Sequence, residues 1–240
     1  MWKLNSDKEK ILKNIDIVLV SPQIPENIGL VARLLKNTSF FNLVLVSPNL
    51  TQESLEVAKR ARDVLEKAKV FDNLKNALKE SSFVFGTTRR IREYKFIYNF
   101  EDIKPYVISL AKEKKVSILF GKENFGLSKE ELQLCDSIFY LSANSKFPSY
   151  NLAIACGLVC YGLVDFLDKL YYVSKLDLAR KKDIESLFLY LERFLSLWVE
   201  KKRLNSTLNS LRRLFLRTHL TKNEVSLLKS LILKIEKLIR

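Results

Sequence analysis

Glycine is scarce in this sequence, six residues in 240, and none of the six belongs to a GxGxxG or P-loop GK[ST] pattern. Such loops let backbone approach a phosphate, so their lack argues against an ordinary dinucleotide site and against a nucleotide-driven enzyme. The one histidine, His219, stands far along the chain and cannot support a histidine-based triad in the main domain. Three cysteines, Cys135, Cys156 and Cys160, form no CxxC or Cys/His ligand spacing. Reduced, mostly buried thiols and no metal site are expected. No apolar run approaches the roughly 18 residues that span a bilayer. The start, MWKLNSDKEK, lacks a signal-peptide core. A soluble, cytoplasmic protein with no membrane partner is the expectation.

What is abundant is positive charge. Against 27 Asp+Glu there are 41 Lys+Arg, giving +14 at pH 7 and a pI near 9.6. That is the electrostatic footprint expected of a nucleic-acid binder, or a basic surface with no such partner. Residues 171–240 carry 16 Lys+Arg against 7 Asp+Glu, or +9, and residues 1–170 the remaining +5. With 48% hydrophobic residues the chain can bury a sizeable core. The composition shift near Asp168 divides it into a main domain, 1–170, and a basic helical extension, 171–240.

Short β-branched runs predict buried strands at Ile15–Val20, Asn42–Ser47, Ser82–Phe85, SILF ending at Phe120 and SIFYL ending at Leu141. Between them, helical spacing covers Ile28–Lys36, with Asn27 as a plausible N-cap, Ser54–Lys69, and Asn73–Lys79. Strands alternating with helices predict an α/β fold, a parallel sheet covered on both faces. Open sheets of this kind bind ligands beyond the carboxyl ends of their strands. Two loops occupy such ends, Gly121–Gly126 and Ser142–Asn151, and a third end carries Gly86-Thr87-Thr88-Arg89-Arg90-Ile91-Arg92. The clustered arginines Arg89, Arg90 and Arg92 suit phosphate, or a solvated loop. Arg33 lies off its helix's apolar stripe, near enough to a strand–loop–helix junction to reach ligand, or simply solvated.

In the second part, Asp177–Lys182 reads as a linker into an apolar-rich helix over Ile184–Val199. The segment Leu204–Arg217 carries Arg212, Arg213 and Arg217, and Thr221-Lys222-Asn223-Glu224 has capping-box form before a last amphipathic helix. Bundling against a partner subunit is the plain use of these helices; arginine also pairs with phosphate and stacks on unpaired bases, which makes this cluster the better RNA-facing candidate.

Three segments, NIGLVAR (Asn27–Arg33), LFGKENFGLS (Leu119–Ser128) and LSANSKFPSYNLAIA (Leu141–Ala155), resemble in order and spacing the signature motifs of the SpoU branch of the SPOUT RNA methyltransferases. The resemblance covers about residues 15–168. It implies a deep trefoil knot at the end of the sheet domain, a homodimer whose two subunits share the active site, and S-adenosylmethionine as cofactor. By the family's motifs the cofactor would touch Thr87, Thr88, Arg89, Gly121, Leu141, Pro148, Ser149 and Tyr150. The catalytic set would be Arg33, Asn27, Glu123, Ser149 and Asn151, with Glu123 anchoring Arg33. Arg33, Arg89, Arg90, Arg92, Arg212, Arg213 and Arg217 would contact RNA. The basic tail resembles the extension of a subgroup that 2′-O-methylates tRNA at nucleotide 32 of the anticodon loop, so tRNA is the implied partner. A ribosomal RNA target, or a catalytically silent RNA-binding relative, is the alternative. The chain departs from the subgroup's usual pattern at Phe147, where tyrosine is common, at Pro148 and Tyr150, which replace serine and leucine, and at Gly157, read as an interruption of the final helix.

Overall fold

The computed structural model describes residues 6–89, 97–175, 177–218 and 220–239, without the side chains of 173–175, 216–218 and 239. Arg90, Arg92 and His219 lie outside the described residues, as does the side chain of Arg217. The chain divides into two compact units, Met1–Leu170 and Tyr171–Arg240.

In the first unit β1 (Ile15–Val20), β2 (Asn42–Val46), β3 (Lys69–Phe71), β4 (Phe83–Thr87), β5 (Tyr98–Asn99), β6 (Val116–Phe120) and β7 (Ser137–Tyr140) form one sheet. The order is β3-β2-β1-β6-β4-β7-β5 and every pairing is parallel. Alternation along the strands divides the core between the two faces. Ile15, Ile17 and Leu19 of β1, Leu43 and Leu45 of β2, and Ile118 and Phe120 of β6 enter one cluster. Val18, Val20, Val44, Val46 and Leu119 enter the other. A strand buried on both faces is apolar along most of its length, so these runs show no regular polar alternation; the buried exceptions are partnered, Asp16 by Lys115 and Ser117 by Ser81.

Helices α1 (Ser6–Lys13), α2 (Pro25–Asn37), α3 (Gln52–Ala58), α4 (Arg62–Glu66), α5 (Leu74–Ala77), α6 (Phe100–Ala111), α7 (Lys129–Leu132) and α8 (Leu152–Lys175) accompany the strands. The single helix expected over Ser54–Lys69 is a correction: α3 stops at Ala58, a 3₁₀ turn covers Lys59–Ala61, and α4 ends before the edge strand β3 takes up Lys69. Lys59 has φ 51°, which no α-helical residue adopts, so the chain breaks there. Asn27 is a second correction. Proline favours the first helical position, so α2 begins at Pro25 with Ile24 as N-cap, and Asn27 lies inside the first turn. Gly157 is a third. It does not interrupt α8, and a Cβ built on it would come within 3.2 Å of both Leu34 methyls, so its bare backbone lets α8 lie close against α2.

The second unit contains α9 (Lys181–Leu195), α10 (Lys201–Thr218) and α11 (Lys222–Ile239), packed through Leu187, Val225 and Ile232. α9 begins three residues before the expected Ile184, because Arg180 N–H donates to the Asp183 carboxylate at 2.9 Å and closes the helix start there. The expected capping box of α11 forms: Thr221 N–H donates to Glu224 Oε2 at 2.7 Å and Glu224 N–H to Thr221 Oγ1 at 3.3 Å. No described helix is long and apolar enough to cross a membrane.

Candidate functional site

β4, β6 and β7 are neighbours, and the loops leaving their carboxyl ends enclose one cleft of about 720 Å³, part of it open to solvent. β4 supplies Thr87 and then Thr88 and Arg89; β6 supplies Phe120 and then Gly121; β7 leads into Leu141, Pro148, Ser149 and Tyr150. Every residue expected to touch cofactor therefore lines this single cleft. Lys122, Glu123, Phe125, Gly126, Leu152 and Ala155 also line it. Of these only Glu123 was singled out from sequence, although the others lie inside the same two motifs.

Two hydrogen bonds tie the strand ends together. Thr87 Oγ1 donates to the Leu119 carbonyl at 2.8 Å, and Thr88 N–H to the Phe139 carbonyl at 3.0 Å. Gly121 is where backbone meets backbone. A Cβ there would stand 2.1 Å from the Gly126 carbonyl carbon and 2.2 Å from Leu127 N. Only glycine permits the loop to fold back on the strand end in this way.

The loop from Ser142 to Asn151 carries three of the four departures from the subgroup's pattern, and the structure gives Tyr150 a definite use. Its hydroxyl donates to the Ser142 carbonyl at 2.8 Å, closing the loop at its base. Asn99 Nδ2 donates to Ser142 Oγ at 2.8 Å beside it. Tyr150→Phe removes one hydrogen bond worth about 1 kcal/mol, so the melting temperature should fall by about 2–4 °C, and affinity for a ligand in the cleft by at most roughly fivefold by calorimetry.

Behind the cleft, three residues from three distant segments form one polar chain. Asn151 Nδ2 donates to Asn27 Oδ1 at 2.9 Å, and Asn27 Nδ2 donates to Glu123 Oε1 at 2.9 Å. Glu123 also accepts from the backbone N–H groups of Gln23 at 2.9 Å and Ile24 at 3.1 Å. Its carboxylate thus lies at the amino end of α2, where the helix dipole favours negative charge and Ile24 offers no side-chain cap. Asn151 caps α8 by accepting from Ala153 N–H at 2.8 Å and Ile154 N–H at 3.3 Å. Asn27 is 3% exposed, and no buried side-chain polar atom among the described residues lacks a partner.

Partial burial by itself would push the Glu123 carboxyl up, but the hydrogen bonds from Asn27 and from backbone N–H groups outweigh it and hold the group below the ordinary carboxylate range. A depressed folded value means stability that is complete above the unfolded value, near 4.5, and is lost as pH falls through the folded one. Glu123→Gln should therefore melt below wild type at neutral pH, and the gap should narrow as pH is taken below about 4.5.

The structure does not place Arg33 with Glu123. Glu123 is committed to α2's amino end, whereas Arg33 is exposed further along α2, lines no part of its own cleft, and forms no ion pair among the described residues. The two helices that meet at Gly157 and Leu34 also carry exposed apolar side chains, Leu30 of α2 and Ile154, Leu158 and Tyr161 of α8. In the second unit Arg212 is engaged, donating to both Glu185 oxygens at 2.6 and 3.1 Å with its guanidinium 4.4 Å from the Phe188 ring centre. Arg213 is exposed. Nearby, Lys229, Lys234 and Lys237 line a groove with Tyr190 and Ser226, a basic surface that the arginine pattern did not signal. The cysteines are free: burial pushes all three thiols up, Cys135 to about 12, and no metal-binding group of His, Cys, Asp or Glu occurs among the described residues.

Comparison with known proteins adds an independent line. The model of the SpoU rRNA Methylase family matches residues 14–161. A tRNA (cytidine/uridine-2′-O-)-methyltransferase TrmJ from Photorhabdus laumondii is 31% identical over 242 residues, covering 95% of this chain and 98% of that protein. A probable methylase family protein from Haemophilus influenzae superposes with a TM-score of 0.64 at 31% identity, covering 95% and 98% of the two chains. The SpoU methyltransferase AviRb from Streptomyces viridochromogenes, solved in complex with the cofactor AdoMet, is 17% identical and covers 64% of this chain and 60% of its own. Its TM-score of 0.52 expresses a likeness of fold.

Proposed function

The chain belongs to the SpoU rRNA methylase family, and from that premise we propose that it is an RNA 2′-O-methyltransferase that uses S-adenosylmethionine to methylate tRNA, at nucleotide 32 of the anticodon loop. The observation that carries this reading is the gathering of Thr87, Thr88, Arg89, Gly121, Leu141, Pro148, Ser149 and Tyr150 into one cleft at the strand ends. The cleft suits the cofactor chemically. Its walls combine apolar Phe120, Leu141 and Leu152 with strand-end backbone that Gly121 keeps bare, which fits an adenine and ribose and requires no phosphate-binding loop. When bound, the cofactor supplies a methyl group made electrophilic by its sulfonium.

What the chain must add is set by the acceptor. A ribose 2′-hydroxyl is a very weak acid, so the site has to position it and stabilise negative charge developing on its oxygen. Arg33 takes that role. A guanidinium is not deprotonated in proteins, so it serves as a cation beside the oxygen or the neighbouring phosphate and not as a base. Asn27, Glu123 and Asn151 are positioning residues: they fix the amino end of α2 against the cleft loop, and with it the helix that carries Arg33.

Arg33 is absent from its own cleft, and this supports a homodimer in which it acts across the interface. Leu30, Ile154, Leu158 and Tyr161 offer the apolar surface for such an interface. We also infer the trefoil knot, with the chain between β7 and α8 passed beneath a neighbouring loop. The return of α8 from β7 near the sheet's edge to Leu34 of α2 supports that path. In the second unit, the groove of Lys229, Lys234 and Lys237 is taken as the phosphate-binding surface in preference to the engaged Arg212.

The test is calorimetric and competitive. S-adenosylmethionine should bind the free protein, and unmodified tRNA transcript should accept labelled methyl in preference to ribosomal RNA fragments. Preference for the ribosomal fragments would move the substrate class. Failure to bind cofactor would leave only an RNA-binding relative.

A further inference from the structure

Within the first unit the two most exposed described aromatic side chains are Phe125, 66% exposed, and Phe147, 77% exposed, and both belong to the loops that form the cleft. Phe125 lines the cleft, and Phe147 adjoins its wall residue Pro148. Neither is displayed by a loose loop. Gly126 N–H donates to the Lys122 carbonyl at 2.7 Å and Gly126 has φ 68°, so Phe125 rides on a closed turn. Phe147 N–H donates to the Asn144 carbonyl at 2.9 Å, while Lys146 N–H donates to Asn144 Oδ1 at 2.9 Å, so Phe147 ends a second closed turn. Each turn spends hydrogen bonds on holding an apolar ring in water, which the fold alone does not explain.

Cations stand on the same loops as both rings or line the same cleft. Lys122 and Arg89 line the cleft and Lys146 precedes Phe147, and none of the three forms an ion pair among the described residues. Exposed ring faces interleaved with unpaired cations are the chemistry that receives single-stranded RNA, whose unstacked bases need a π-face and whose phosphates need charge. We propose that Phe125 and Phe147 are stacking platforms for the unpaired bases on either side of the target ribose. This rests on the RNA methyltransferase reading and adds to it a reason why the substrate must be a loop and not a helix: in a duplex the base faces are already covered.

Phe125→Ala, Phe147→Ala and the double variant are compared with wild type on an anticodon stem–loop transcript and on a fully paired duplex of the same composition. Each single variant should bind the stem–loop about tenfold more weakly and the double variant about a hundredfold, with duplex binding unchanged. Phe→Trp at either position should restore binding. 2-Aminopurine placed beside the target nucleotide should be quenched by wild type and left bright by the double variant. For Phe147→Ala, whose ring is not among the residues that line the cleft, cofactor affinity should stay within twofold of wild type, and the oligomeric state should be unchanged in every variant; stem–loop binding is compared with cofactor at saturation. If cofactor affinity falls instead, the rings serve the cofactor; if the oligomer dissociates, they serve a protein interface; either result overturns the proposal. Stem–loop binding that is the same in all variants, while wild type methylates RNA, overturns the platforms alone. Wild-type protein that binds no RNA overturns the function as well.

Discussion

Arg33→Ala is expected to lower the turnover number for methyl transfer by about 10²–10³ while leaving S-adenosylmethionine affinity within twofold of wild type, the usual loss when one donor to a developing oxyanion is removed. The exposed position of Arg33, without an ion pair among the described residues and outside its own cleft, separates the two readouts: truncating it disturbs neither the cleft nor the packing of α2. Single-turnover kinetics with calorimetry of the same protein checks this. The expectation sharpens when protomers are mixed. Arg33→Ala subunits combined with subunits unable to bind cofactor should regain part of the rate, because one cleft in the mixed dimer then has both a cofactor and an arginine. Two inactive parents that stay inactive when mixed would place Arg33 on its own subunit's substrate. A fully active Arg33→Ala protein would remove it from the chemistry.

Gly121→Ala should abolish cofactor binding and lower the melting temperature. The added methyl would stand 2.1 Å from the Gly126 carbonyl carbon, 2.2 Å from Leu127 N and 2.4 Å from the Gly126 carbonyl oxygen, and all three are backbone. A flexible side chain could step aside; here the Lys122–Gly126 turn or the end of β6 must shift. Overpacking of this kind costs about 3 kcal/mol or more, roughly 6–12 °C in a domain of this size. Ligand affinity should suffer further, because the displaced turn carries Lys122, Glu123 and Phe125 of the cleft wall. A Gly121→Ala protein that binds cofactor normally would show that the cleft described above is not the cofactor's.

The sheet was largely legible in the sequence because its central strands are buried on both faces, which favours nearly continuous apolar runs at Ile15–Val20, Asn42–Val46 and Val116–Phe120, broken only by Asp16, Asn42 and Ser117. The edge was not. β3 is Lys-Val-Phe with two of its three residues exposed, and it begins on the lysine where the helical spacing of the preceding segment was still being counted. β5 is two residues long and carries no periodicity at all. Asn27 looked like a cap because asparagine precedes an apolar stripe, yet proline two positions earlier decided where α2 starts. Its actual partners, Glu123 and Asn151, lie about a hundred residues away in each case, and no local pattern signals a contact across such a separation. The motifs containing these residues were recognisable through family resemblance, while composition and spacing alone reached only a basic α/β protein with loops after its strands. Tyr150 and Phe147 show the reverse side of that resemblance. They stood out as departures, and the structure gives one a hydrogen bond that closes the loop and the other an exposed place at the end of a closed turn.

The measurement that bears most directly on the function is nucleoside mass spectrometry of an unmodified tRNA transcript after incubation with the protein and methyl-labelled S-adenosylmethionine. The label should appear on a single ribose 2′-oxygen at nucleotide 32 of the anticodon loop. Label on a base, or no label on any ribose of tRNA or ribosomal RNA, would contradict the account.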